Sequence, residues 1–264
     1  MSAEVIDPKS YSRFRFAHES LDAIDINDET HNTDFPFAEE LAKRRYPVRA
    51  LRYWWLNMAI HEEAKRLARP LTIADVGCDR GIIKRFILPV PDSTWIGLDI
   101  IVNRPGIEKA GYAKIEQCDF DDPLPLDDAS YDIVICSHVL EHLPRPEFTI
   151  VELARVLKPG GMMLLGVPTL PKPIAKIREN TFNKELKSGK RVVGQHIHVF
   201  WPQRLKDLAT NAGLAVEFES GTALIRKKGS ILEDHASWIR VNQYWAGLFP
   251  SLGMELCLQL RKPD

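Results

Sequence analysis

The sequence predicts an α/β fold built on a mostly parallel sheet with helices on both faces. Five short apolar runs between residues 71 and 167 alternate with helical or irregular segments. Continuous apolar strands separated by helices are typical of a parallel sheet that is covered on both sides. With 264 residues, of which 45% are hydrophobic, the chain is long enough to bury a core of its own.

The first 69 residues are predicted to form an N-terminal arm and a helix on the acceptor side of the site. Residues 1–40 are polar and weakly periodic, so they form either a lid over the site or a tail. From Pro47 a helical pattern runs to the vicinity of Pro70, and its large apolar side chains should pack on the sheet: Trp54, Trp55 and Met58. Four arginines should form a solvated face unless an anionic ligand lies nearby: Arg44, Arg45, Arg49 and Arg52.

The second predicted unit spans residues 70–264 and contains the sheet. Its first five strands are expected at LTIADV, TWIGLDI, YAKIEQC, YDIVICS and MMLLGV. Residues 169–195 interrupt the alternation of strands and helices, because they are polar and basic. We interpret them as an inserted cap. The remaining elements are a helix at PQRLKDLATNAG, a strand at LAVEFES, a helix around ILEDHASWIRVNQYWAGLF and a strand at GMELCLQL.

Charge and composition exclude some classes of protein. The formal net charge of −1 gives no reason to expect a DNA-binding protein. No apolar run approaches the length of a membrane span, and the N-terminus lacks the apolar core of a signal peptide, so a cytoplasmic protein is expected. The four cysteines have no zinc-type spacing and are predicted to be buried free thiols: Cys78, Cys118, Cys136 and Cys257.

A nucleotide site is predicted where the first strand enters a glycine-containing turn. Gly77 and Gly81 allow a tight turn and close approach of the backbone to a ligand. Asp99 ends the second strand about 20 residues later, where a carboxylate accepts hydrogen bonds from ribose hydroxyls. Asp119 ends the third strand and suits an adenine amino group. Carboxyl ends of parallel strands share one sheet edge, so these groups should form one site.

Four segments resemble, in order, the successive motifs of the class I (Rossmann-like) S-adenosylmethionine-dependent methyltransferases. They are ADVGCDRG, GLDI, CDFDDPLPLDDASYDIVICSHVLEHL and RVLKPGGMMLLGVPT. The resemblance covers residues 70–168 well and 196–262 more loosely. It implies a seven-stranded sheet whose last strand is antiparallel, with S-adenosyl-L-methionine as cofactor and S-adenosyl-L-homocysteine as product. An NAD-dependent dehydrogenase fits less well, because Gly77–Gly81 does not match G-x-G-x-x-G.

The resemblance also implies a role for individual cofactor-binding residues. Around the methionine moiety it places Asp75, Gly77, Cys78 and Gly81. For the adenosine it implies Asp99 and Ile100 at the ribose, Asp119 and Phe120 at the adenine, and Ser137 bordering the cofactor. The sequence departs from the family in the turn itself, where Asp79 stands in place of a frequent middle glycine.

The acceptor side is expected to involve His138, His142 and His198 as catalytic candidates. In His138-Val-Leu-Glu141-His142, both histidines would share a face of a helical turn beside Glu141. Three roles stay open for this segment: local hydrogen bonding, a base or acceptor-orienting group, and a metal site. His198 and His196 alternate with apolar residues and would lie near the acceptor, as a histidine often does in the family.

No metal is assigned to the predicted site, and a divalent metal is the alternative. H-x-x-E-H is formally the inverted zinc-peptidase pattern, but here it leaves a strand and soon meets Pro144. Some metal-assisted O-methyltransferases, however, carry a Glu–His pair at this point. His196 or His198 would then complete a site with Glu141 and His142.

The predicted reaction is transfer of a methyl group to a small-molecule or glycan-like acceptor, at oxygen rather than nitrogen. In-line displacement depends mainly on alignment, and an alcohol acceptor also benefits from a base. The cap suggests an anionic acceptor, because against Glu179 and Glu185 it carries seven basic residues: Lys172, Lys176, Arg178, Lys184, Lys187, Lys190 and Arg191. The alternatives are a catalytically silent cofactor-binding scaffold and an RNA-modifying enzyme, although no RNA-binding module is recognisable.

Overall fold

The fold is described from a computed structural model that covers most of the chain. The described residues are 47–87, 89–187, 196–221, 232 and 236–264. Several predictions therefore fall outside them: the arm at residues 1–40, the positions of Arg44 and Arg45, and the last part of the cap, residues 188–195. The division of the chain at residue 69 stays a prediction.

In the described part of the chain, seven strands form one sheet in the order β3-β2-β1-β4-β5-β7-β6. The strands are β1 (Thr72–Val76), β2 (Thr94–Asp99), β3 (Lys114–Gln117), β4 (Tyr131–Ser137), β5 (Leu157–Pro168), β6 (Ala215–Gly221) and β7 (Glu255–Arg261). The first five pair in parallel, and β7 runs antiparallel to both β5 and β6. The predicted Rossmann-like sheet with an antiparallel last strand is confirmed.

Helices connect the strands and cover both faces of the sheet. They are α1 (Pro47–Leu67), α2 (Ile82–Phe86), α3 (Pro146–Val156), α4 (Lys172–Lys187), α5 (Pro202–Asn211) and α6 (Ala236–Leu248). Short 3-10 turns lie at Ile107–Ala110, Leu140–His142 and Pro250–Leu252. Helix α4 lies within the segment predicted as a cap. Among the described helices, none combines the length and apolar character that crossing a bilayer requires.

Two hydrophobic layers sandwich the sheet, because successive strand residues point to opposite faces. On one face Val76, Val134 and Leu165 pack with residues of α3 and α5. On the other, Ile73 and Ile133 pack with residues of α1 and α2. Trp55 of α1 belongs to this second layer and is buried, as predicted, whereas Met58 is half-buried. The side chain of Trp54 lies outside the described residues.

Strand β5 differs from its predicted extent. It begins at Leu157, directly after α3 ends at Val156, rather than at Met162. Leu157 pairs with Tyr131, and the ladder resumes after an irregularity at Ile133 with Met162. Among the cysteines all four are free thiols; Cys78, Cys136 and Cys257 are buried as predicted, and Cys118 is half-buried.

The sheet places its binding edge at the switch in strand order. Strand β1 lies between β2 and β4, so the chain leaves β1 towards one side and later returns to the other. In open α/β sheets a ligand crevice forms at this point, outside the carboxyl ends of the strands. Strand β7 begins at the same edge, since Glu255 pairs with Pro168 at the end of β5.

The opposite edge of the sheet is held by a buried carboxylate. Asp132 accepts hydrogen bonds from the Thr72 backbone and hydroxyl, both at 2.9 Å, from Arg69 Nη2 at 2.6 Å and from Lys158 Nζ at 2.9 Å. Burial opposes its ionisation, but these donors keep the pKa of Asp132 well below its ordinary value. The carboxylate therefore ties β4 to β1 and to the start of β5.

Substitution Asp132→Asn should lower the free energy of unfolding by about 1–3 kcal/mol, since it removes the charge from a buried acceptor that four hydrogen bonds engage. Because the folded-state pKa is lowered, the contribution of Asp132 is present above the ordinary aspartate pKa of about 3.9 and is lost as the pH falls further. Denaturant unfolding at pH 7 and at acid pH measures both effects.

The matched control is Asp128→Asn. The side chain of Asp128 is 78% exposed and pairs with Arg155 on the surface. Surface pairs of this kind contribute about 0–1 kcal/mol. If both variants lost the same stability, the assignment of Asp132 as the tie between the strands would be wrong.

Candidate active site

The turn after β1 is held in a left-handed backbone conformation at three positions. Gly77, Asp79 and Gly81 have φ of +76°, +47° and +72°. A Cβ at Gly77 would lie 2.2 Å from Cγ2 of Val139, so only glycine fits there. Asp79 adopts the conformation that a middle glycine would supply, and aspartate tolerates it better than most residues. The departure from the family pattern therefore leaves the turn intact.

Asp99, at the end of β2, fastens this turn. Its buried carboxylate accepts a hydrogen bond from the Asp79 backbone at 2.9 Å and another from the Ile101 backbone at 3.0 Å. The backbone of Gly77 also donates to the carbonyl of Leu98 at 2.8 Å. The end of β2 and the turn thus form one rigid unit, and Ile100 beside it is exposed.

Asp75 is fully buried at the end of β1 and is only partly satisfied. The hydroxyl of Tyr112 donates to its Oδ2 at 2.5 Å, whereas Oδ1 has no hydrogen-bond partner among the described residues. Burial raises the pKa of Asp75 to about 7. A buried acceptor without a donor fits the ammonium group of a methionine moiety. Tyr112 was not predicted, because nothing in its local sequence links it to β1.

The remaining predicted cofactor residues lie after β1, β3 and β4. Cys78 is buried in the turn, and Phe120 is buried next to Asp119. Asp119 is exposed, and its Oδ1 accepts a hydrogen bond from the Asp121 backbone at 3.0 Å. Ser137 is half-buried as the last residue of β4. The structure brings these residues to the same sheet edge, while their individual roles stay predictions.

A cluster of charged side chains follows β4 at the same edge. His138 has φ of +60°, and the 3-10 turn begins only at Leu140, so the predicted helical turn with His138 and His142 on one face is wrong. Instead the ring of His138 lies between two carboxylates. Its Nδ1 is 3.3 Å from Oε1 of Glu141, and its Nε2 is 3.7 Å from Oε2 of Glu255.

Arg52 completes this cluster and corrects its assignment to a solvated face. The residue is only 6% exposed, and its guanidinium donates to both carboxylate oxygens of Glu255, with Nε 3.1 Å from Oε2. Burial disfavours both charges, but each partner stabilises the other: the pKa of Arg52 is raised and that of Glu255 is held well below its ordinary value. A lone acid in the apolar segment GMELCLQL was the available signal for Glu255.

The segment His196–Phe200 is fastened to the residues after β4. Backbone groups of Ile197 and His198 donate to the carbonyl of Glu141 at 2.8 and 3.1 Å. The ring of His196 meets the edge of the His142 ring, with centroids 4.7 Å apart. These contacts unite two parts of the chain that the sequence separates by more than 50 residues.

His198 has different neighbours. Its Nε2 lies 3.3 Å from the carbonyl of Pro144, and its Nδ1 lies 3.3 Å from Nη2 of Arg204. Arg204 is also held by Glu179 of α4 at 2.7 Å. Both ring nitrogens are therefore engaged, and a role as a base would require His198 to give up one of these contacts.

Sheet order, glycine turn and acidic strand ends together are the features of a Rossmann-like fold. The sequence profile of the Methyltransferase domain family matches residues 44–218. The chain belongs to this family, which confirms the predicted class of S-adenosylmethionine-dependent methyltransferases. A solved S-adenosylmethionine-dependent methyltransferase from Mesorhizobium loti has the same fold, with a TM-score of 0.55 and 18% identity over 81% of this chain and 100% of that one.

The chain also matches curated methyltransferases over part of its length, among them one of Dechloromonas aromatica and one of Mycobacterium bovis. The ubiquinone biosynthesis O-methyltransferase of Dechloromonas aromatica is 29% identical over 132 residues, which cover 47% of this chain and 53% of the relative. An uncharacterized methyltransferase of Mycobacterium bovis is 36% identical over 89 residues, which cover 33% of this chain and 31% of the relative. The chain thus spans about half the length of the first relative and less of the second.

The affinity for S-adenosylhomocysteine should fall as the pH drops through 7. The raised pKa of Asp75 means that its carboxylate becomes neutral there, while the amino group of the ligand, whose pKa is higher, stays protonated. Calorimetric titrations should show a Kd that rises by up to about tenfold per pH unit, the limit for one proton. Asp75→Asn should remove this dependence; an unchanged pH profile in that variant would contradict the role given to Asp75. Asp127→Asn, at an exposed site, serves as control.

Proposed function

We propose that the protein transfers a methyl group from S-adenosylmethionine to an oxygen of a small-molecule or glycan-like, anionic acceptor. One observation carries this proposal: the charged cluster adjoins the cofactor turn. Val139, which packs against Gly77, directly follows His138 in the chain. The same short segment therefore contacts the cofactor turn through Val139 and carries the imidazole of His138. An acceptor that binds next to His138 would lie close to the bound cofactor.

The cofactor, when bound, supplies an electrophilic methyl group attached to a sulfonium. Asp75 offers its unpartnered Oδ1 to the methionine ammonium, and Asp99 offers its carboxylate to the ribose hydroxyls. Both groups are buried and held by the protein, so they orient the ligand without reorganisation. Such positioning supplies much of the rate of an in-line displacement.

His138 receives the proton of the acceptor hydroxyl. Its Nε2 makes no hydrogen bond among the described residues, although Oε2 of Glu255 lies 3.7 Å away. With the ring proton on Nδ1, towards Glu141, the lone pair of Nε2 is the acceptor. Once protonated, the ring would carry its positive charge between the carboxylates of Glu141 and Glu255, at 3.3 and 3.7 Å. Arg52 in turn keeps Glu255 ionised.

An anionic acceptor is supported by the charge of α4. This helix follows β5 at the binding edge and exposes Lys172, Lys176, Arg178 and Lys184. Partial desolvation lowers the pKa of His196, and the positive charge of Arg178 acts in the same direction. Methylation at oxygen is supported by the O-methyltransferase among the relatives.

A catalytically silent, cofactor-binding scaffold is the alternative, and it explains fewer features of the site. Binding the cofactor requires the turn and the acids, but it does not require a histidine between two buried carboxylates. A buried carboxylate is unfavourable unless it is paired, and cofactor binding alone does not account for the two that flank His138. An RNA-modifying enzyme is supported only by the basic helix.

Substitution His138→Ala should lower kcat by about 10²–10⁴-fold, the usual contribution of a general base, with an unchanged Kd for S-adenosylhomocysteine. Release of S-adenosylhomocysteine with a panel of hydroxylated acids measures kcat, and calorimetry measures Kd. His61→Ala, in α1, is the matched control and should leave both constants unchanged. Equal loss of cofactor affinity and turnover in His138→Ala would assign the residue to cofactor binding instead.

Added salt should weaken the binding of the acceptor and leave the binding of the cofactor unchanged. Exposed lysine and arginine side chains on α4 attract an anion through water, where salt screens the attraction over about 8–10 Å at 0.1–0.15 M. The cofactor groups are buried and are screened less. The KM for the acceptor should therefore rise with salt while the Kd for S-adenosylhomocysteine stays constant; equal salt sensitivity of both would count against an anionic acceptor.

A further inference from the structure

We propose that Glu141, His142 and His196 form a binding site for a divalent transition-metal ion. One donor atom from each side chain lies within 4.8 Å of the others. Glu141 and His142 belong to the 3-10 turn after β4, and His196 comes from the segment before α5. This site is separate from the residues that hold the cofactor, and its existence does not depend on methyl transfer.

The carboxylate of Glu141 is the main argument for a bound ion. Glu141 is 1% exposed, yet neither of its oxygens has a hydrogen-bond partner of normal geometry among the described residues. The nearest basic side chains are the imidazoles of His138 and His142, at 3.3 and 3.9 Å. A buried carboxylate is unfavourable unless it is paired or coordinates a metal. A cation bound at its free oxygens would supply the missing partner.

The backbone holds the third ligand in place. Ile197 and His198 both donate to the carbonyl of Glu141, and the side chain of Ile197 is buried. His196 is thereby fixed next to the carboxylate, with its ring against the edge of His142. His198 is turned to Pro144 and Arg204 and is not part of the set. The geometry therefore favours His196 over His198 as the third ligand.

The donor types indicate which ions the site would take. Two imidazoles and one carboxylate suit Zn²⁺, Fe²⁺, Co²⁺ and related ions, whereas Mg²⁺ and Ca²⁺ prefer oxygen donors. Bonds of about 2.0–2.2 Å separate the donors of a tetrahedral ion by roughly 3.4 Å. Since the donors lie within 4.8 Å of one another, the side chains must close by up to about 1.4 Å. Three protein ligands also leave a coordination position open, as in catalytic zinc sites.

The open coordination position would allow the ion to bind an oxygen of the acceptor. His142 and His196 are the more exposed ligands, so the free position is directed away from buried Glu141. An acceptor hydroxyl bound there would pass its proton to His138 more readily, because a metal stabilises the oxyanion that remains. His138 keeps its proposed role as proton acceptor and, through its contact with Glu141, also helps to position the carboxylate ligand.

The test is a titration of chelator-treated, full-length protein with Co²⁺ and with Zn²⁺. We expect one ion per chain by calorimetry, with a visible Co²⁺ absorption band typical of low coordination number. His196→Ala and Glu141→Gln should each abolish the band and the tight site. His138→Ala should weaken the affinity by about 10- to 100-fold, the usual effect of losing a contact to a ligand. His61→Gln, which removes a histidine on α1, should bind as the unaltered protein does.

Binding of S-adenosylhomocysteine to the same samples separates this proposal from the methyltransferase function. Variants that lose the metal but keep that ligand with an unchanged melting temperature support the site directly. If His196→Ala binds Co²⁺ and Zn²⁺ as tightly as the unaltered protein, or if the unaltered protein binds neither ion, the proposed site is wrong. Because His196 is exposed, its substitution tests the proposal even if Glu141→Gln fails to fold.

Discussion

The contact between Val139 and Gly77 is the constraint on which the site depends. It allows the chain after β4 to approach the turn after β1 so closely that a single methyl group at position 77 would collide with it. The cofactor turn and the residues that follow β4 are therefore neighbours by packing. Sheet order supplies the rest, since β1 and β4 pair in parallel and end at the same edge.

Buried charge organises the acceptor side of this edge. Arg52 from α1, Glu255 from β7 and His138 after β4 form a chain of contacts that reaches Glu141. Each member alone would be strongly unfavourable in the interior, and together they compensate one another. The arrangement ties the first helix and the last strand to the point where the acceptor is expected. Helix α1 is thus connected electrostatically to the site as well as packed on the sheet.

Local sequence was sufficient for the parts of the fold that local physics determines. The apolar strands, the glycine turn and the acid at the end of β2 each follow from short-range patterns, and the structure has them at the predicted places. Resemblance to a known family supplied the strand count. The boundary of β5 was less predictable, because Leu157 joins the strand through its pairing with Tyr131 rather than through its own neighbours.

The errors concern contacts between residues far apart in sequence. Arg52 looked like a surface arginine because its partner, Glu255, lies some 200 positions away. Tyr112 gave no sign that it would bond to Asp75. His138 was placed on a helix because its spacing from His142 suits one, but its backbone is left-handed where the chain leaves β4. Such features depend on tertiary packing, and a periodicity within one segment does not contain them.

The central claim is that the turn and the carboxylate of Asp99 hold one adenosyl ligand. Calorimetric titration with S-adenosylhomocysteine tests it most directly, on the unaltered protein, on Asp99→Ala and on the exposed control Asp127→Ala. Hydrogen bonds to a charged acceptor contribute about 1.5–3 kcal/mol, so Asp99→Ala should bind the ligand roughly ten- to hundredfold more weakly. The affinity of the control should not change. Absence of binding to the folded, unaltered protein, or equal affinity in all three, would contradict the account.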